Sequence, residues 1–121
     1  MKLEDATPII QLGEHLLVSM QGDLDDRAVL QLESDITRSV SETQATGVLL
    51  ELSGLTIIDS FIARVIARLA GMIRLLGAEV VVVGIQPAVA ITLLELGIGM
   101  QHLRTALNAA DGMALLHEIR E

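Results

Sequence analysis

The sequence predicts an α/β domain with a mixed, mainly parallel β-sheet, an opening hairpin and about four helices. Three observations carry this. Glu79-Val80-Val81-Val82-Val83-Gly84-Ile85 is a nearly continuous β-branched run, the mark of a parallel strand covered on both faces or lying at the sheet centre. Two segments, starting near Asp26 and Ser60, repeat apolar residues at steps of three and four, as a helix with one buried face requires. Two short apolar-rich runs, Ile9–Leu12 and His15–Met20, are separated only by Gly13-Glu14 and read as a hairpin.

The elements follow in order. Gly22-Asp23-Leu24-Asp25-Asp26 reads as a turn and a helix start, with acids at the positive helix end. Val29, Leu32, Ile36 and Val40 then form an apolar stripe, and Asp26, Glu33, Arg38 and Glu42 are placed off it. Thr46-Gly47 ends that segment, and the apolar run from Gly47 to Leu52 reads as a buried strand. A short loop leads to Asp59-Ser60. From there Ile62, Val65, Ile66, Leu69, Met72, Ile73 and Leu76 mark a second amphipathic helix. Arg64, Arg68 and Arg74 lie off its stripe, and Gly77 closes it. After the strand at Glu79–Ile85, Pro87 suits a first helical position, and Ala88 to Leu96 with Gly97 behind it reads as a short helix. Ile98 to Leu103 is expected to add a short edge strand. Asn108 is placed to cap a last helix, Ala109 to Arg120. The resulting order, ββαβαβα(β)α, implies right-handed crossovers between parallel strands.

At 121 residues the chain is expected to form a single domain over residues 1–121. A chain of this size buries roughly two-thirds of its unfolded surface, enough for one core. Hydrophobic residues make up 51%, yet Phe61 is the only aromatic, so the core must be aliphatic. The net charge is −8, Lys2 is the only lysine, and the seven arginines are scattered. Phosphate-backbone binding needs clustered Lys and Arg, so nucleic acid is disfavoured, as are anionic membrane surfaces. No apolar run approaches the length of a membrane span, and residues 1–20 lack a basic start followed by an apolar signal core. Without cysteine there are no disulfides or thiolate metal sites. A cytoplasmic protein working through protein contacts is the expectation.

Catalytic and metal patterns are thin. His15, His102 and His117 fall in three separate elements without ligand spacing. Ser60 sits in Ile-Asp-Ser-Phe-Ile and not in the Gly-x-Ser-x-Gly turn of a hydrolase, where bulky Phe61 and Ile62 would crowd the backbone. Gly54 stands alone and no lysine follows it, which excludes a nucleotide-binding phosphate loop. A phospho-receiver reading of Asp59 fails for want of an acid pair after the first strand and a late lysine.

What remains is Ser60 at a helix start, beside the carboxylate of Asp59. Two readings stay open from these residues alone. Asp and Ser are favoured at such positions for hydrogen bonding to the backbone. Alternatively, Ser60 is a modified residue: a phosphate adds roughly −1.5 to −2 charge, which the helix dipole tolerates and an acidic partner surface does not. Asp23, Asp25 and Asp26 read as helix-start acids that would also make an acidic docking edge. Arg64 and Arg68, one turn apart, read as solvated, or else as contacts to another subunit or a kinase. Phe61 covers the domain edge or anchors a partner.

The chain resembles the STAS domain family (sulfate transporter and anti-sigma-factor antagonist), over essentially its full length. Four segments carry the resemblance: Leu16-Leu17-Val18-Ser19-Met20-Gln21 with Leu24-Asp25-Asp26; Ile58-Asp59-Ser60-Phe61-Ile62-Ala63; Gly84-Ile85-Gln86-Pro87-Ala88-Val89-Ala90; and Leu94-Glu95-Leu96-Gly97-Ile98. The Asp-Ser pair is shared by many single-domain members. Asp-Ser-Phe-Ile-Ala with Gly-Ile-Gln-Pro-Ala-Val-Ala is more specific, to the RsbS branch.

The resemblance implies a non-catalytic protein without cofactor or metal. Proteins of that branch assemble with RsbR-type paralogues into a hollow particle, the stressosome. The particle holds an RsbT-type serine kinase, which phosphorylates the scaffold under stress and leaves to act in a partner-switching pathway. An RsbX-type phosphatase resets it. Ser60 matches the phosphorylated serine and Asp59 its acidic neighbour. Asp59, Phe61 and Arg64, with Asp25 and Asp26, are the expected partner-contact surface, and a homodimer or higher assembly is expected. RsbR-type paralogues carry a second phosphorylatable position early in the first helix; Leu24-Asp25-Asp26-Arg27 has no hydroxyl there, as the RsbS branch implies. A stand-alone anti-anti-sigma factor binding its kinase one to one is the alternative, and a small-ligand-binding STAS module a third reading.

Overall fold

The computed structural model describes residues 9–22, 24–97 and 103–120. Within them the elements run β1 (Ile9–Leu12), β2 (His15–Gln21), α1 (Asp26–Thr43), β3 (Gly47–Gly54), α2 (Ser60–Leu75), β4 (Glu79–Val83), α3 (Pro87–Glu95), β5 (Arg104–Ala106) and α4 (Ala109–Arg120). The strands form one sheet in the order β1-β2-β3-β4-β5. β1 and β2 pair antiparallel, as the Gly13-Glu14 turn demands, with Ile9 opposite Val18 and Leu12 opposite His15. The remaining pairs are parallel, with Leu50 between Val18 and Val82.

Side-chain alternation divides the core in two. Val48, Leu50 and Leu52 of β3 and Val80 and Val82 of β4 join Val29, Ile36, Ile66, Ile73 and Leu93 in the main cluster, under α1, α2 and α3. Leu49, Val81 and Val83 point the other way and meet Leu116 of α4. β4 is therefore covered on both faces, as its β-branched run predicts. Each large aliphatic side chain removed from water here contributes roughly 1.5–3 kcal/mol. α4 lies very close to the sheet: a Cβ on Gly112 would come within 2.5 Å of Leu49 and 2.7 Å of Val83.

Several boundaries differ from expectation. α1 ends at Thr43, and Gln44, not a glycine, takes the left-handed cap conformation at φ 54. β3 starts at Gly47, as expected, and a Cβ there would lie 2.9 Å from both His15 and Leu116. β3 runs on to Gly54. β4 stops at Val83, because Gly84 turns the chain at φ 73. The edge strand expected at Ile98–Leu103 falls largely outside the described residues; β5 is Arg104–Ala106, held by its pairing with Val81–Val83. Asn108 does cap α4, its Oδ1 accepting from the Asp111 N–H at 2.9 Å.

Glu33, placed off the stripe by its charge, is buried. It lies four residues after Val29 and three before Ile36, so helical spacing turns it inward. Its carboxylate accepts from Arg68 Nε at 2.9 Å and Arg68 Nη2 at 2.8 Å. This fork joins α1 to α2 and corrects the reading of Arg68 as merely solvated. The bonds to Glu33, and then its charge, hold the Arg68 guanidinium above its ordinary pKa.

Candidate functional site

β2, β3 and β4 run parallel, so the loops that follow them open at one edge of the sheet. Those loops feed the N-termini of α1, α2 and α3. Asp25 caps α1: its Oδ1 accepts from the Ala28 N–H at 2.8 Å. Asp59 caps α2 in the same way, accepting from the Ile62 N–H at 2.9 Å. The residues before the caps, Leu24 and Ile58, both pack on the main core, which also holds Val29 and Ala63 four residues into each helix. That arrangement staples the entry of each helix.

The structure thus separates Asp59 from Ser60. Asp59 makes the cap. Ser60 is the first residue of α2, is exposed, and its side chain makes no hydrogen bond among the described residues. The hydroxyl that capping alone would have explained is left over. Around it the surface is mixed. Ile57 in the preceding loop is 78% exposed, and Phe61 is 37% exposed. Arg64 lies four residues after Ser60, hence on the same face of α2. It is exposed and makes no ion pair among the described residues.

A cavity of about 360 Å³ lies between the β2–α1 turn and the β3–α2 loop, lined by Gly22, Leu24, Leu55, Ile57, Asp59 and Ile62 among others. Of the predicted residues only Asp59 lines this cavity; Asp25 and Asp26 follow its lining residue Leu24 at the start of α1, and Ser60, Phe61 and Arg64 follow Asp59 on α2. Sequence reasoning passed over Ile57. Its signal was an apolar residue in the one loop segment that leads to Ser60.

Elsewhere the chemistry is sparse. His15 and His117 do meet, edge to face, with ring centroids 5.4 Å apart. His15 is buried and His117 exposed; His102 lies outside the described residues. Among the described residues no group of three or more His, Asp or Glu is arranged to hold a metal ion. No described helix is long and apolar enough to cross a membrane.

Comparison with known proteins agrees with this geometry. The STAS domain family model matches residues 7–110. A solved structure of Moorella thermoacetica RsbS, carrying a serine-to-glutamate substitution, superposes with a TM-score of 0.86 at 31% identity, covering 94% of this chain and 97% of that one. A chain from a structure described as the molecular architecture of the stressosome, a signal integration and transduction hub, gives a TM-score of 0.85 at 32% identity, covering 94% and 99%. The Bacillus subtilis RsbT co-antagonist protein RsbRB is 30% identical over 115 residues, 93% of this chain but 41% of that protein. The chain thus spans less than half the length of that curated relative. With a family match across most of its length and the sheet order and helix placement described above, the chain belongs to the STAS domain family, and it is similar along that length to RsbS.

Proposed function

We propose that this chain is a non-catalytic, cytoplasmic stressosome scaffold protein, acting as a single STAS domain. In this reading it sequesters an RsbT-type serine kinase until the kinase phosphorylates Ser60. It co-assembles with RsbR-type paralogues, and an RsbX-type phosphatase restores the hydroxyl. The observation that carries the reading is the division of labour at the start of α2: Asp59 satisfies the helix and leaves Ser60 exposed. The full-length likeness to RsbS supports it.

The site gives the switch a physical form. Ile57 and Phe61 offer apolar surface beside Ser60, and Arg64 offers a cation one turn away. A phosphate of roughly −1.5 to −2 charge would sit at the positive end of α2 and within reach of Arg64. The fold tolerates that charge. A kinase surface packed over the same spot must either lose its contact with Arg64 or accept an unpaired charge at close range, which is costly. Binding and phosphorylation therefore exclude each other.

The test is intact-mass spectrometry after incubation with an RsbT-type kinase and ATP. The wild-type chain should gain one phosphate, and Ser60→Ala should gain none. Labelling that survives Ser60→Ala would move the switch elsewhere.

A further inference from the structure

We propose that Gln86 is a positioning residue for Ser60, acting across the sheet edge on the loop that presents it. The proposal deepens the reading of Ser60 as the phosphorylated residue and rests on it.

The β3–β4 ladder ends at the pair Glu51 and Val83. Ser53 and Gly54 continue β3 beyond that point without a partner on β4. On the other side the β2–β3 register slips between Ser19 and Gln21 before Gln21 meets Gly54. The strand that launches the Ser60 loop is thus weakly held just where the loop departs.

Side chains replace the missing ladder. Gln86 Nε2 donates to the Ser53 carbonyl oxygen at 3.1 Å, linking the β4–α3 loop to the end of β3. Glu51 also holds Ser53, accepting from the Ser53 hydroxyl at 2.8 Å and the Ser53 N–H at 3.2 Å. Gly84 permits the approach. A Cβ there would collide with Glu51 Oε2 and lie 3.1 Å from Ser53 Cβ. Two residues beyond Ser53, Leu55 closes a turn through its N–H to the Leu52 carbonyl at 2.9 Å and buries its side chain. The run from Thr56 to Ile58, exposed at Thr56 and Ile57 and half-buried at Ile58, then spans from this anchor to the Asp59 cap.

Gln86 occupies the N-cap position of α3, yet its side chain makes no cap bond. Pro87 follows at the first helical position, where its fixed φ suits the helix without help. Gln86 is therefore free of a local duty, and its amide reaches to β3 instead. Changing it removes the tie to Ser53 and leaves the start of α3 as it was.

The experiment compares the wild-type chain with Gln86→Glu, which keeps the shape but has no donor as a carboxylate, and Gln86→Ala. Amide hydrogen exchange is read at Ser53 and Leu55, with Val82 in β4 and Ala63 in α2 as controls. Thermal melting and the kcat/KM for phosphorylation of Ser60 by an RsbT-type kinase are read on the same samples. Loss of one hydrogen bond predicts exchange at Ser53 and Leu55 faster by roughly three- to tenfold in both variants, with a smaller change at the controls and a melting temperature lowered by no more than a few degrees. The kcat/KM should fall by a similar factor. Unchanged exchange at Ser53 and Leu55 overturns the tether. Faster exchange with an undiminished kcat/KM overturns the positioning role alone. A wild-type chain that takes no phosphate overturns the reading of Ser60 itself, and the exchange arm, which needs no kinase, keeps the two failures apart.

Discussion

At the start of α1, Asp25 is extended at φ −91 and ψ 176, and its side chain accepts from the third helical N–H. At the start of α2, Asp59 repeats this at φ −95 and ψ 178. Each is preceded by a half-buried aliphatic residue and follows a parallel strand. The first helical residues differ. α1 begins with Asp26 and Arg27, a fixed negative charge and its opposite. α2 begins with Ser60 and Phe61, a neutral hydroxyl and an aromatic. The approach differs too: α2 is entered through a loop that exposes Ile57, whereas α1 is entered from Gly22 at φ 78. The shared part is what any helix start needs. The unshared part, an unbonded hydroxyl with apolar and cationic neighbours, makes no bond that the helix start requires, and the proposed switch rests on that difference.

The comparison can be broken at the caps. Asp25→Ala and Asp59→Ala each remove one side-chain bond to an orphan N–H, and each should cost about 1 kcal/mol, within a range of roughly 0.5–2. Urea unfolding at constant m-value measures this. The two losses should match. Phosphorylation should not: Asp59→Ala loosens the turn that presents Ser60 and should slow phosphate transfer, while Asp25→Ala leaves it near the wild-type rate. Equal effects of both variants on phosphorylation would mean the two helix starts share the function as well as the cap.

Both helix starts were legible in the sequence, because polar residues that favour capping stand before an apolar-periodic segment at each. So were α1, α2 and β4, whose apolar residues repeat at the period of the element. The rest depended on partners far along the chain. Glu33 sits at an inward position of α1, but nothing near it announces that Arg68, thirty-five residues away, turns back to meet it. β5 is Arg-Thr-Ala, three residues without a strand pattern; pairing with β4 makes it a strand, while the more apolar run before it drew the expectation. Gln86 carried no signal either, since a glutamine before Pro87 reads as a helix start and its bond to Ser53 spans the sheet edge. At the proposed site, the sequence pointed to Ser60 and Asp59 together but did not divide the capping role between them. That division needed the position of a single carboxylate oxygen.

A sharper comparison makes α2 begin as α1 does. Ser60→Asp places a carboxylate at the first helical position, matching Asp26. An acid there interacts favourably with the helix dipole by about 0.3–1 kcal/mol at low salt. The variant should therefore be at least as stable as wild type in thermal melting while binding an RsbT-type kinase more weakly. Thermal melting and isothermal titration, each in low and physiological salt, check the two halves. A variant that binds the kinase as wild type does would mean that charge at this position is not what the kinase reads.

The smallest expected effect concerns Arg64, which has no counterpart in α1: the residue four positions after Asp26 is Leu30. Before phosphorylation Arg64→Ala should leave stability nearly unchanged, since the side chain is exposed and makes no ion pair among the described residues. After phosphorylation a charge at Ser60 gains an i,i+4 partner, worth about 0.2–0.5 kcal/mol for an exposed helical pair and screened by salt. The stability difference between wild type and Arg64→Ala should thus emerge only in the phosphorylated chains and shrink in high salt. A thermodynamic cycle over Ser60 with and without its phosphate and Arg64 with and without its change to Ala isolates the pair. A difference already present in the unphosphorylated chains would assign Arg64 to the fold instead of the switch.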